Sequence, residues 1–356
     1  MDRPRIRDDL ALMEGYHSPQ VDVSVRLNTN ESPTPPPRGW TDALAAELSL
    51  IDWNRYPDRA ATSLREAIAG QYGVDSSAVL AANGSNEVIQ TLLLAYGGSG
   101  RSAAVFEPTY ALHSHIARLT GTGVIEGQRG ANFELDDGEI ARVLDEGPAV
   151  VFLCSPNNPT GMLEPRTTVE HVLERASSSG ALVVVDEAYG QFAEWSAIEM
   201  VSEDCPLVVT RTFSKTWSLA AARLGYLIGP TWLVESLEPV TLPYHLDATK
   251  QVAGRLALSF VDEMRARVDQ LVSERERIAA GLSLLPVDSW PSGANFVLFR
   301  PRGFDGETVW KQLLDRSILV RNCASWPRLE GCLRVTVGTP GENDAFLSAL
   351  AEILNQ

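Results

Sequence analysis

The chain has 356 residues, 44% of them hydrophobic and 21% charged, an ordinary globular composition with length for one large and one small folding unit. Its formal net charge of −16 argues against nucleic acid or an anionic membrane as partner, so an anionic ligand needs a local cluster of donors. Cys154, Cys205, Cys323 and Cys332 are scattered with no CxxC pair or His-rich neighbour, which argues against a zinc site or disulfide framework and for a reducing cytoplasm.

The first residues, MDRPRIRDDLALMEGYHSP, lack the apolar core of a signal peptide, and no run approaches membrane-spanning length. Residues up to about 26 read as an arm broken at Gly15, Ser18 and Pro19, and the prolines of LNTNESPTPPP (27–37) predict an extended path over a surface. Helical segments follow at 41–50 and 61–72, separated by NRYPD (54–58), a turn that leaves Tyr56 at a surface or an interface. In AANGSNEVIQTLLLAYGG (81–98), Gly84 permits a tight turn, Ser85 reads as the N-cap, and Val88, Leu92 and Leu93 give helical spacing. Such a helix start offers free amides and a positive dipole end to an anion.

From there apolar runs at 102–108, 149–156, 181–189, 206–214 and 224–230 alternate with helix-compatible stretches such as 110–120 and 164–178. That alternation predicts an α/β fold, a mainly parallel sheet sandwiched by helices. Ligands of such sheets sit beyond the carboxyl ends of the strands. The polar residues there are Tyr110, Asn158 in SPNNPTG, Asp186 and Tyr189, and then Thr212, Ser214 and Lys215, with Arg223 beyond. Lys215 taken alone is a solvated loop residue, and an aspartate after LVVV costs stability unless a donor faces it. Together they are what pyridoxal 5'-phosphate requires. The amine forms a Schiff base, the carboxylate holds the pyridine nitrogen protonated, and donors face the ring hydroxyl. An aromatic stacks on the ring, while helix-end amides, hydroxyls and an arginine take the phosphate.

After a turn at 242–246, a long helical stretch (248–282), an apolar run (294–300), a helix (305–316), the strands SILVRNC and CLRVTVG and a helix (343–354) predict a smaller α+β unit. The expected division is an arm, 1–40, completing the small domain and the site entrance, a large domain, 41–245, and a small domain, 246–356. Arg321 and Arg334 stand inside strands, where an arginine's default place is the solvated face.

RLNTNESPTPPP, NRYPD, NGSNE, PTY, SPNNPTG, VVVDEAY, RTFSKTWSLAAARLGY and LRVTVGTPGEND, in this order, resemble the histidinol-phosphate aminotransferases from about Tyr16 to the C-terminus. These are pyridoxal-phosphate enzymes of fold type I. The resemblance implies a transaminase with Lys215, Asp186 and Tyr189 as its catalytic group. It makes Lys215 the Schiff-base lysine, Asp186 the partner of the pyridine nitrogen, Asn158 and Tyr189 the partners of the ring hydroxyl, and Tyr110 the stacking ring. Ser85, Asn86, Thr212, Ser214 and Arg223 would cradle the phosphate. A homodimer with shared sites is implied, in which Tyr56 reaches the neighbouring subunit's cofactor. Arg334 would grip a substrate carboxylate or phosphate, Arg321 would add a second grip on phosphate, and Tyr16, Asn86 and Tyr244 would surround the substrate.

The implied reaction converts L-histidinol phosphate and 2-oxoglutarate to imidazole acetol phosphate and L-glutamate, a step of histidine biosynthesis. Aromatic amino-acid aminotransferases and phospho-amino-acid decarboxylases share the scaffold. A non-catalytic cofactor-sensing regulator would carry an added DNA-binding segment, for which this acidic chain has no spare length. The arm departs from the family pattern at Ser32 and Thr34, and in CASWPRLEG (323–331) Trp326 and Arg328 lie at the entrance or face solvent.

Overall fold

Apolar runs without polar alternation become strands covered on both faces: in the computed structural model, VVFLC and LVVVD are buried at every residue. The structure describes residues 3–11, 13, 15 and 20–355. From the N-terminus come β1 (Val25–Leu27), α1 (Arg38–Leu48), α2 (Thr62–Tyr72), β2 (Val79–Ala82), α3 (Ser85–Tyr96), β3 (Ser102–Glu107), α4 (Leu112–Leu119) and β4 (Gly123–Gln128). Next are α5 (Asp137–Asp145), β5 (Val150–Cys154), α6 (Arg166–Ser179), β6 (Leu182–Asp186), β7 (Leu207–Thr212), β8 (Gly225–Ile228) and α7 (Thr231–Leu237). The last third holds α8 (Ala248–Ala257), α9 (Val261–Ser283), β9 (Val287–Ser289), β10 (Phe296–Pro301), α10 (Gly306–Asp315), β11 (Ile318–Asn322), β12 (Leu333–Thr336) and α11 (Pro340–Leu354).

The larger sheet has the order β2-β8-β7-β6-β5-β3-β4, and only β8 runs against its neighbours. Side-chain alternation divides its two covers. Val105 and Phe152 meet α3, α4 and α7 on one face, while Phe106 and Leu153 meet α5 and α6 on the other. Strand order reverses between β3 and β5, which opens a crevice beyond their carboxyl ends. The smaller sheet, β1-β11-β12-β10-β9, is antiparallel except that the arm strand β1 joins β11 in parallel. A shared core running from Leu64 and Tyr226 to Phe296, Ile278 and Phe346 joins the two sheets.

Several expectations need correction. The helix expected over 248–282 is two helices, interrupted by a tight turn at Leu258–Phe260. Phe260 leaves helical geometry there (φ −110°, ψ 39°), its ring lying where a Cβ on Gly39 would come within 3.1 Å. α8, grouped by the sequence with the small unit, packs on α1 and α2, whereas α9 packs on α11 and β9. Ser85 is not the N-cap. Gly84 takes that position at φ 84°, and Glu87 accepts from the Asn83 amide. β2 and β4 were not anticipated: β2 is four residues long, and β4 is an edge strand with exposed residues rather than an apolar run. α11 starts before 343, at Pro340, because Thr339 and Glu342 form a capping box.

At the crevice, β8 and the start of α3 approach each other closely. A Cβ on Gly225 would stand 2.4 Å from Ser85 N and 2.5 Å from the Gly84 carbonyl carbon. Gly225→Ala must therefore move backbone, and we expect a loss of about 1–3 kcal/mol in thermal or denaturant unfolding. An unchanged unfolding midpoint would contradict this packing.

Candidate active site

The crevice is a cavity of about 390 Å³, lined by Ser85, Asn86, Tyr110, Asn158, Asp186, Tyr189, Thr212, Ser214, Lys215, Arg223 and Arg334. All but Arg334, which lies inside β12, sit at or beyond a strand end or open a helix, which is why residues far apart in sequence meet. Asp186, the last residue of β6, is 1% exposed. Its Oδ1 accepts from Thr210 Oγ1 and the Ala188 amide at 3.1 Å each, and its Oδ2 faces His113 Nε2 at 3.0 Å. His113 is fully buried, stacked on Phe152 with ring centroids 4.7 Å apart, and its Nδ1 has no partner among the described residues. The imidazole proton therefore belongs on Nε2, donated to the carboxylate. Tyr110 meets the edge of His113 and donates to Asn86 Oδ1 at 3.1 Å.

Lys215 Nζ donates to the Thr29 carbonyl of the arm at 3.0 Å and lies 5.6 Å from the centre of the Tyr189 ring. Desolvation, followed by the positive charge of Arg334, lowers its pKa from 10.5 to about 7; Glu31 opposes the shift and Arg223 adds to it. Burial holds the Tyr189 phenol well above its ordinary pKa, so it stays neutral. Its oxygen accepts from Asn30 Nδ2 at 2.9 Å and keeps a proton to donate. Arg334 donates to Asn158 Oδ1 and to the Asn28 carbonyl at 2.9 Å. Both acceptors are neutral, and Arg334 Nε has no partner among the described residues. At the opposite end, Arg223 Nη1 donates to Ser214 Oγ at 3.2 Å, and a Cβ on Gly84 would stand 3.0 Å from Arg223 Nη2. Thr212 Oγ1 donates to Ser214 Oγ at 3.0 Å, so hydroxyls, a guanidinium and the first turn of α3 share one corner.

Other sequence candidates lie elsewhere. Arg321 is the register partner of Arg334 but does not line the cavity; its guanidinium lies over Trp326, 5.1 Å from the ring centre. Tyr56 is 80% exposed and outside the cavity, stacked on Tyr244 with centroids 4.5 Å apart. Tyr16 lies outside the described residues. The sequence reading missed His113, Thr210 and the arm residues Asn28, Thr29, Asn30 and Glu31, which also border the cavity or its carboxylate. The only signal for His113 was its place three residues after Tyr110, at the start of the helix that follows β3. Trp326, left between entrance and solvent, is buried.

This donor set fits pyridoxal phosphate: a buried carboxylate for a protonated ring nitrogen, neutral donors between, an anion corner at a helix start, and a depressed amine. Among the described residues no group of three or more His, Cys, Asp or Glu could hold a metal ion, and no helix is long and apolar enough to cross a membrane.

The family profile "Aminotransferase class I and II" matches residues 23–350. The chain is 45% identical to the histidinol-phosphate aminotransferase of Frankia casuarinae, over 98% of this chain and 90% of that protein. It is 44% identical to that of Streptomyces avermitilis, over 98% and 96%. In fold it resembles the histidinol-phosphate aminotransferase of Sinorhizobium meliloti, solved in complex with pyridoxal-5'-phosphate. The TM-score is 0.85 at 22% identity, covering 94% of this chain and 91% of that one.

The chain has only three lysines, Lys215, Lys250 and Lys311, so its amines can be followed one by one. Amine acylation of the cofactor-free protein, read by peptide mapping across pH, should modify Lys215 with a midpoint at about 7. Below that pH the amine is protonated and protected, and above it reactive. A midpoint for Lys215 shared with the two other lysines would contradict the depressed amine.

Proposed function

Because the chain belongs to the class I and II aminotransferase family, we propose that it transfers the amino group of L-histidinol phosphate to 2-oxoglutarate, giving imidazole acetol phosphate and L-glutamate. The observation that carries this reading is the pairing of a depressed lysine with a buried, three-donor carboxylate across one cavity, in a chain 45% identical to a histidinol-phosphate aminotransferase.

When bound, pyridoxal phosphate supplies an electron sink for the bond broken at the substrate Cα and a carbon that carries the amino group between the two substrates. Asp186, itself oriented by His113, Thr210 and the Ala188 amide, would hold its pyridine nitrogen. Asn158 and Tyr189 would face the ring hydroxyl and Tyr110 the ring. Ser85, Asn86, Thr212, Ser214 and Arg223 would hold the phosphate.

Lys215 is the base. With a pKa of about 7 its Nζ is neutral in a large fraction of molecules at physiological pH, and it takes the proton from the substrate Cα. Thr29 of the arm offers the carbonyl that holds the resulting ammonium. Arg334 carries a positive charge with no acidic hydrogen-bond partner among the described residues, and would meet the substrate phosphate in one half-reaction and a carboxylate in the other. Arg321, its neighbour across the strands, adds a second cation suited to a phosphate rather than to a lone carboxylate.

A dimer with shared sites completes this reading. Trp53 and Pro57 share a groove with Ala221 and Ala222, and Ala221 also borders the catalytic cavity. Leu50, Trp53 and Tyr56 are 79%, 71% and 80% exposed, an apolar surface suited to burial by a second copy. Tyr56 of the partner subunit would then reach the cofactor phosphate, and sedimentation should give the mass of two chains. The 1–40, 41–245 and 246–356 partition belongs to the same proposal, save that α8 packs on α1 and α2 of the larger unit, with the arm closing the entrance.

Purified protein loaded with the cofactor should absorb in the visible and form glutamate from 2-oxoglutarate only when histidinol phosphate is present. Lys215→Ala should lose that absorbance band and lower kcat by at least roughly 10²–10⁴-fold. A wild-type protein that takes up no cofactor, or a Lys215→Ala variant with normal turnover, would overturn the function.

A further inference from the structure

We propose that Trp326 is a positioning residue that holds the Arg321 guanidinium for the phosphate of the amine substrate. It is itself pinned by the peptide that carries Tyr110. The inference rests on the role given to Arg321 above and adds the group that fixes it.

The loop joining β11 to β12 closes on itself, with Cys323 N bonded to the Cys332 carbonyl at 3.0 Å and Cys332 N to the Leu329 carbonyl at 2.9 Å. Leu329, Cys323 and Cys332 are fully buried and Trp326 is 6% exposed, in a cluster with Phe133 and Leu298. The indole Nε1 crosses to the larger sheet and donates to the Thr109 carbonyl at 2.9 Å. That carbonyl belongs to the peptide bond leading into Tyr110. Thr109 is in turn fixed, its amide donating to Glu107 Oε2 at 3.0 Å and its hydroxyl to Asn157 Oδ1 at 2.8 Å. Arg328 adds a second tie, donating to the Arg129 carbonyl and, at 3.0 Å, to that of Gly130. Arg129 is anchored by a buried ion pair with Glu164.

The indole is therefore held by its edge, and its face is the surface on which Arg321 rests, 5.1 Å from the ring centre. Indole is the aromatic face that attracts a cation most strongly. A filler side chain needs neither a donor aimed across the interface nor a guanidinium on its face. One residue thus fixes the arginine of the smaller sheet against the turn that carries the stacking tyrosine of the larger one.

The test compares Trp326→Phe, Trp326→Leu, Arg321→Ala and the Trp326→Leu/Arg321→Ala pair as holoenzymes. KM for histidinol phosphate, KM for 2-oxoglutarate, kcat and the unfolding temperature are read for each. Trp326→Leu should raise KM for histidinol phosphate about tenfold while KM for 2-oxoglutarate stays within about twofold. Trp326→Phe keeps a ring under the guanidinium and loses the indole donor, so it should fall between; it carries the test alone if the Leu variant does not fold. On the Arg321→Ala background the Leu substitution should add no further rise.

Equal rises in both KM values, a rise fully additive with Arg321→Ala, or a lowered unfolding temperature with no change in either KM would overturn the proposal. Arg321→Ala leaving KM for histidinol phosphate unchanged would instead overturn the role of Arg321, and this inference with it. The first group of failures leaves the role of Arg321 standing, so the two are distinguishable.

Discussion

A carboxylate placed where water does not reach dictates much of this site. Asp186 lies at the end of a strand of five buried residues, and an unpaired charge there would cost several kcal/mol. His113 reaches it from α4, Thr210 from β7, and the Ala188 amide from the turn that follows β6. Those three elements meet only because β6 lies between β5 and β7 and because α4 returns over the reversal point between β3 and β5. The sheet order is thus the condition for surrounding a buried carboxyl group with donors. A ring nitrogen is a fitting partner for it, since it brings a proton and a positive charge to a group that otherwise meets only polar donors.

The cations obey the complementary constraint. An acidic chain that handles anions must concentrate positive charge locally, and the antiparallel register of β11 and β12 does so by setting Arg321 directly beside Arg334. Both are buried, 9% and 5% exposed, an arrangement of two like charges that an anion would stabilise. Their aromatic neighbours, Trp326 and Phe296, lie against the guanidinium groups. Arg334 has a further effect at a distance, because its charge helps depress Lys215. The arm passes between these groups. Asn28 takes a hydrogen bond from Arg334, Thr29 takes one from Lys215, and Asn30 gives one to Tyr189. A segment of irregular backbone therefore orients three side chains in the cavity.

How much of this can be read from sequence follows from how local each cause is. Strands buried on both faces announce themselves as apolar runs, and the polar residue ending each run marks the crevice, so Asp186, Lys215, Asn158 and Tyr110 stand out. His113 does not, because a histidine on an apolar helix face resembles many core histidines until its carboxylate is located. Asn30 owes its position to φ 54° and to hydrogen bonds with Tyr189, Thr336 and Asn295, all more than a hundred residues away, and no local pattern encodes those. β4 escapes because an edge strand has no need of a continuous apolar run, and the break at Phe260 because it arises where the ring meets Gly39. Trp326 was ambiguous for the same reason: its burial depends on Thr109, Arg321 and a loop that folds on itself.

The central claim is that this cavity is built for a phosphorylated amine rather than for an aromatic amino acid or a phosphorylated amino acid that loses its carboxyl group. Single-turnover conversion of the cofactor-loaded enzyme, followed by its visible absorbance with histidinol phosphate, phenylalanine and threonine phosphate in parallel, tests it most directly. The account predicts that histidinol phosphate discharges the absorbance fastest and that 2-oxoglutarate restores it. Faster conversion by phenylalanine, or release of carbon dioxide from threonine phosphate at a higher rate, would contradict it.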